Sequence, residues 1–406
     1  MEGRIKKKGK GLLLILCVLA AVFFTACGED ELTPEGENKK GLNDYENGSY
    51  ESAKTHFERA VSLDPDTGEY HNNLGMTLIQ LEEYSDAISQ FTMVITEEPQ
   101  TTAEKKLVKF AYRGKGVAYL QRQDFSEALQ AFNSALDIDV EEEWNIDILY
   151  YKANVLECMG YPTSAIENYE AVLELDKDNV PALLARANLY REDGDYTSAE
   201  KDYQTVLDNT EGTYEAYIGL YVCYVETDRE EEAAGILDAA SRLTVKDDDD
   251  KYRLGQVHFY QGNYESAEIE MENAVANGFT EANYFLGEIA LSRGEYETAL
   301  TYYEAYRDTH VQESPTVCNQ EAVCYLALYE YDKAEEQINL GLAYEGSPAY
   351  QKLLRNRVAL YEGRTEYRKA YEALQDYIVR FPDDTDATDE YRFLKKLLGT
   401  DSEEEE

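Results

Sequence analysis

The stretch Asn283-Tyr-Phe-Leu-Gly-Glu-Ile-Ala-Leu-Ser-Arg-Gly-Glu-Tyr-Glu-Thr-Ala-Leu-Thr-Tyr-Tyr-Glu-Ala-Tyr306 decides the fold. From Asn283 to Arg293 its bulky apolar residues recur at helical spacing. Gly294 can take the left-handed conformation that closes a helix. A second helix is predicted from about Tyr296 to about Arg307, with Tyr296, Ala299, Leu300 and Tyr303 on one face. Gly287 and Ala299 are small enough for the helices to approach closely, and Leu286, Tyr296 and Tyr303 fill the volume around that crossing. A single hairpin of this size cannot bury its own apolar face, so it needs copies of itself on either side.

The copies exist. Aligned on Ala299, equivalent alanines stand at 53, 87, 128, 165, 199, 233, 267, 334 and 370, spaced 32 to 41 residues apart. Twelve residues before them come Gly41, Gly75, Gly116, Ala153, Ala187, Tyr221, Gly255, Gly287, Ala322 and Val358, mostly small, as a tight crossing requires. Four after them come Phe57, Phe91, Phe132, Tyr169, Tyr203, Leu237, Met271, Tyr303, Ile338 and Leu374. Pro65, Pro99 and Pro382 each follow their alanine by twelve, where a second helix should stop.

This period and small/aromatic pattern resembles the tetratricopeptide repeat, over about Pro34 to Phe381. The resemblance implies an all-α fold, a right-handed α-solenoid of about ten helix-turn-helix repeats. The array is placed at residues 38–381. Residues 382–399 supply a capping helix, with Tyr391, Leu394, Leu397 and Leu398 on one face of Thr388 to Leu398. Residues 400–406 are an acidic tail. Seven extra residues separate Ala87 from Ala128, either in the loop Gln100 to Lys106 or as a longer next helix. Repeat six is the most degraded copy. Tyr221 replaces the small crossing residue, Glu230 replaces an aromatic, and Asp228 stands where the inter-helix glycine belongs. A joint is expected there, between about Tyr214 and Asp250, because such arrays hold together through nearest-neighbour contacts.

Residues 1–27 read as a targeting segment. A basic start (Arg4, Lys6, Lys7, Lys8, Lys10) precedes an apolar run, Leu12 to Phe24, of 13 residues. That is short for a spanning helix, which needs about 20. The run ends Phe24-Thr25-Ala26-Cys27, which resembles the bacterial lipoprotein signal, with Phe24 where that family usually has Leu. The resemblance implies cleavage after Ala26 and a diacylglycerol on the Cys27 thiol. An uncleaved anchor or an ordinary secretory signal is the alternative. Residues 28–37, acidic and containing Pro34, read as a disordered tether.

The net charge of −44 excludes a nucleic-acid footprint, which needs clustered Lys and Arg. A partner recognised electrostatically should be basic. Nothing reads as catalytic. The four histidines are scattered, and no HExxH, nucleophile elbow or phosphate-cradling loop occurs, so no enzyme, cofactor or metal is expected. Asp247 to Asp250 lack the glycine and distal glutamate of a calcium loop, and fit better as acids opening a helix. Cys158, Cys223, Cys318 and Cys324 lie in first helices and read as buried thiols, a long-range disulfide being the alternative.

The family resemblance implies a partner-binding groove lined by the first helix of each hairpin, at its fifth, ninth and twelfth positions. The fifth-position set includes Arg113, Tyr150, Tyr252 and Tyr284, and ninth positions include Asn154, Asn188 and Gln256. Asn154 and Asn188, equivalent in adjacent repeats, could hydrogen-bond an extended peptide. Tyr252 and Tyr284, with Phe259 and Tyr260, form an aromatic patch for an apolar or Pro-rich segment. The expected partner is therefore a protein or peptide, with carbohydrate or solute binding as the rival. The oligomeric state is open.

Overall fold

The computed structural model describes residues 33–96, 98–210, 212–309 and 314–399. Among them are 21 α-helices and no strand. The chain divides into two compact units, one ending at Glu230 and the other beginning at Glu231. That boundary falls inside the sixth repeat, within the segment where the sequence predicts a joint.

The first unit contains five helix pairs: α1 (Pro34–Glu46) with α2 (Tyr50–Leu63), α3 (Gly68–Gln80) with α4 (Tyr84–Val94), α5 (Thr102–Gln121) with α6 (Phe125–Leu136), α7 (Asn145–Cys158) with α8 (Pro162–Leu175), and α9 (Val180–Glu192) with α10 (Tyr196–Asn209). It closes with α11 (Tyr214–Glu226). The second unit opens with α12 (Glu230–Ala240). Four pairs follow: α13 (Asp248–Tyr260) with α14 (Tyr264–Ala276), α15 (Ala282–Ser292) with α16 (Tyr296–Arg307), α17 (Pro315–Ala327) with α18 (Tyr331–Leu342), and α19 (Tyr350–Gly363) with α20 (Tyr367–Arg380). Helix α21 (Thr385–Leu398) is last and packs on α20.

Each pair closes for the reason read from the sequence. The ten aligned alanines are all buried, nine of them with no exposed surface at all. At Gly41, Gly75, Gly116 and Gly287 an added Cβ would stand within 2.7 Å of the ring of Phe57, Phe91, Phe132 and Tyr303, respectively. The second-helix ring thus occupies the space a side chain would need. Every inter-helix turn passes through a left-handed residue. In five repeats it is a glycine, such as Gly294 (φ 73°); in the others it is Glu82, Gln123, Asp228, Tyr329 and Thr365.

One open alternative is decided and two boundaries differ from expectation. The seven extra residues of repeat three lengthen α5, which starts at Thr102 behind a Thr101/Glu104 capping box. Helix α1 starts at Pro34, capped by Thr33, so residues 34–37 of the expected tether are helical, and Glu37 is buried beside His56. In α21 the inward face is Ala387, Tyr391 and Leu394, with Tyr391 stacked on Tyr371 at 4.9 Å, whereas Leu397 faces solvent. Residues 1–32 and the expected tail, 400–406, lie outside the described residues. Two other local readings hold. Helix α13 opens on Asp248, Asp249 and Asp250, with Asp247 accepting from the Asp250 N–H. Glu230 points to solvent, as an acid at an aromatic position must.

Candidate functional site

Fifth-position residues of the first helices mostly reach the next repeat. Asn38 Nδ2 donates to Glu69 and its Oδ1 accepts from Asn73 at 2.9 Å. Asn72 donates to the Leu107 carbonyl at 3.1 Å. Asn319 accepts from Asn356 at 2.9 Å, and Arg355 donates to Glu390 at 2.6 Å. Arg113 belongs to this set. Its guanidinium is buried against Asp147 of the following repeat and lies 5.9 Å from the Phe110 and Tyr151 rings. A charge-assisted bond of this kind aligns successive hairpins. Arg113 is therefore a tie between repeats before it is a contact for a partner.

The two asparagines carry a different load. Asn154 accepts from the Tyr169 hydroxyl at 3.3 Å and donates to its own helix at the Tyr150 carbonyl. Asn188 accepts from the Tyr203 hydroxyl at 2.7 Å and donates to Glu215 at 2.8 Å. Both tyrosine rings are wholly buried. A buried hydroxyl must find a partner; Asn188 supplies it in repeat five, and in repeat four Asn154 shares that part with Glu157, also 3.3 Å from the Tyr169 hydroxyl. Tyr150 is itself buried, tilted against Tyr169 at 5.7 Å, and burial pushes its hydroxyl up to about 12. The pair read as a peptide clamp thus serves the core.

The sequence pattern that signals this was missed. In repeats one to three the crossing ring is Phe57, Phe91 or Phe132, and the ninth residue is Leu42, Met76 or Val117. In repeats four, five and eight the ring is a tyrosine and the ninth residue is polar. Glu288 plays that part in repeat eight, accepting from the Tyr303 hydroxyl at 2.6 Å. Repeat seven breaks the rule, since Gln256 stands at the ninth position but Met271 replaces the tyrosine. Gln256 donates to the Tyr252 hydroxyl at 3.0 Å, and its Oε1, buried, has no partner.

Tyr252 and Tyr284 are brought into one aromatic cluster, but unequally. Tyr252 is only 8% exposed, packed on Phe279 at 5.3 Å and edge-on to Phe285. Tyr284 is half-buried, edge-on to Phe285 and 5.9 Å from Tyr306. Phe259 and Tyr260 complete the cluster through Phe285. Phe259, Tyr260, Tyr284 and Tyr306 are all half-buried, while Tyr252 is core. Cys27 and Ala26 lie outside the described residues. Cys223, Cys318 and Cys324 are buried thiols and Cys158 a half-buried one. No cluster of metal-ligating residues occurs among the described residues.

The tetratricopeptide repeat family profile matches residues 38–100, 108–140, 152–212, 184–244 and 252–315, more than half of the chain. The chain belongs to that family, and its fold is an all-α tetratricopeptide-repeat solenoid. Repeats of this family serve as scaffolds for protein–protein interaction. Stress-induced-phosphoprotein 1 of Caenorhabditis elegans is 22% identical over 52% of this chain and 62% of its own length. The TPR repeat-containing protein YvcD of Bacillus subtilis is 24% identical over 59% of this chain and 54% of its own. The chain thus spans less than two thirds of either relative. Among solved structures, a tetratricopeptide repeat protein from Parabacteroides merdae is 16% identical over 60% of this chain and 93% of its own, with a TM-score of 0.47.

Proposed function

We propose that this protein is a lipid-anchored, exported scaffold. It binds protein or peptide segments along its first helices, at the outer face of a bacterial cell membrane, and supports assembly of an envelope or secretion complex. The anchor rests on the basic start, the short apolar run and Thr25-Ala26-Cys27. Partner binding rests on one observation above all: Tyr284, Tyr260 and Tyr306, with Phe259, remain half-buried around the buried rings of Tyr252, Phe279 and Phe285. Half-exposed aromatics on a rigid base are favoured recognition surfaces. The carbohydrate reading needs a broad aromatic platform, and Tyr252 does not contribute to one.

Two measurements test the proposal. Mass analysis of the membrane-bound protein is expected to find diacylated Cys27 as the first residue, and Cys27→Ser to lose membrane retention. An intact Met1 with unmodified Cys27 would overturn the anchor. Affinity capture from the native membrane is expected to recover a protein partner that Tyr284→Ala releases. Capture unaffected by Tyr284→Ala and Tyr260→Ala together would move the binding surface elsewhere.

A further inference from the structure

Repeats seven and eight each carry an acceptor with capacity left over. Glu288 sits one helical turn after Tyr284 on α15, so both project from the same face. Its carboxylate is half-buried and receives three contacts: the Tyr303 hydroxyl at 2.6 Å, and the Gln320 amide at 2.7 and 2.8 Å. All these donors are neutral. Among the described residues no Lys, Arg or His forms an ion pair with Glu288, and the neighbouring cation Arg307 is engaged by Glu321. A carboxylate has about four acceptor positions, so Oε2, which takes only the shared Gln320 N–H, retains capacity.

One repeat earlier, at the same register position, stands Gln256 with its unpartnered Oε1, in a side chain 9% exposed. The cause is visible in the sequence, because Met271 replaces the tyrosine whose hydroxyl serves Asn154 and Asn188 in repeats four and five. An unmade buried bond is costly, and a turn of the terminal amide toward the groove would let a bound N–H satisfy it. The half-buried ring of Tyr284 shares a helix face with Glu288 and lies 5.9 Å from Tyr306. A carboxylate held by neutral dipoles beside a tyrosine face is the chemistry that takes a cation. The net charge of −44 draws the same sign of partner.

We infer that this face of repeats seven and eight binds an extended peptide segment through an arginine or lysine, its charge on Glu288 and its stem against Tyr284. Gln256 accepts a backbone N–H of the same segment. The inference rests on the reading of the first-helix face as the partner surface, and it names the partner's chemistry.

The test uses the full chain and two capped, fluorescently labelled peptides, acetyl-Leu-Pro-Arg-Leu-Pro-amide and its citrulline counterpart, which is equal in shape but uncharged. The arginine peptide is expected to bind at least tenfold tighter in fluorescence anisotropy, with an affinity that falls as salt is added. Glu288→Gln should reduce that preference to about twofold or less, and Tyr284→Ala should weaken both peptides. Should Glu288→Gln not fold, the arginine-over-citrulline preference of the unaltered protein is read at about 0.5 M salt, where long-range attraction is screened but a half-buried pair much less so, and its complete loss there overturns the cation site. Equal binding of both peptides, still lost in Tyr284→Ala, would overturn the cation site and leave the groove reading standing. No binding of either peptide, or binding indifferent to Tyr284→Ala, would overturn both.

Discussion

Repeats two and five solve the same packing problem with different rings. In repeat two Phe91 is wholly buried at the helix crossing, and the ninth residue of the first helix is Met76. In repeat five Tyr203 fills the equivalent volume, also wholly buried, and the ninth residue is Asn188, 2.7 Å from its hydroxyl. One added oxygen has therefore fixed the identity of a residue on another helix. The lesson concerns how a groove is read. A polar residue at a partner-facing register is evidence for a partner only when no buried group behind it already claims its hydrogen bonds.

The largest effect is expected from breaking this correspondence in a phenylalanine repeat. Val117 is 2% exposed above Phe132, which has no hydroxyl to offer. Val117→Asn loses a buried apolar side chain and leaves an amide without a partner, costing about 3 kcal/mol. Adding Phe132→Tyr should recover about 1 kcal/mol of it. Urea denaturation measures both. A double variant no more stable than Val117→Asn alone would mean that the ring and ninth residue do not communicate.

The tyrosine repeats supply the reverse experiment, with a smaller effect. Asn188→Leu leaves the Tyr203 O–H buried without its acceptor, at about 1–2 kcal/mol, while Asn188→Leu with Tyr203→Phe should cost less than the single change. Glu215 loses its amide donor in both variants, while Arg191, which also bonds the Tyr203 hydroxyl, loses that contact only in the double variant. Strict additivity in chemical denaturation would assign Asn188 back to the surface and revive its reading as a partner contact.

Much of the fold was legible because the signals are local. Small residues and alanines mark where two helices touch, and the aligned alanines lie buried without exception. Asp228, named from its register as the replacement for a turn glycine, is left-handed with φ 55°. The degraded sixth repeat, betrayed by Tyr221 and Glu230, is where the two compact units divide. The site was less legible. Register shows which face Arg113, Asn154 and Asn188 occupy, but their partners lie 15 to 34 residues further along the chain. Tyr252 and Tyr284 share a register position, and only packing separates them: Phe279, from the turn before α15, covers the first. Glu288 was passed over because in a chain this acidic one more glutamate carries no signal until its neighbours are known.

The smallest effect tests whether the other variable register, the inter-helix turn, follows the same logic. Half the repeats place glycine there and half do not, yet the backbone is left-handed in all ten. For a residue with a Cβ this conformation costs about 1–2 kcal/mol, most where the side chain branches at Cβ. Thr365, at φ 59°, is that case. A glycine relieves the clash but adds freedom to the unfolded chain, which takes back about 0.5–1 kcal/mol. Thr365→Gly should therefore stabilise the second unit by about 0.5 kcal/mol. Gly294→Thr, the mirror change two repeats earlier in the array, should destabilise by a similar or slightly larger amount, because Gly294 also adopts φ 73°. Here no buried group stands behind the residue to demand a particular side chain, so backbone strain alone should set the sign. Opposite signs in thermal denaturation sustain that view. A destabilising Thr365→Gly would mean that the threonine side chain is needed at its turn, as Asn188 is needed at its crossing.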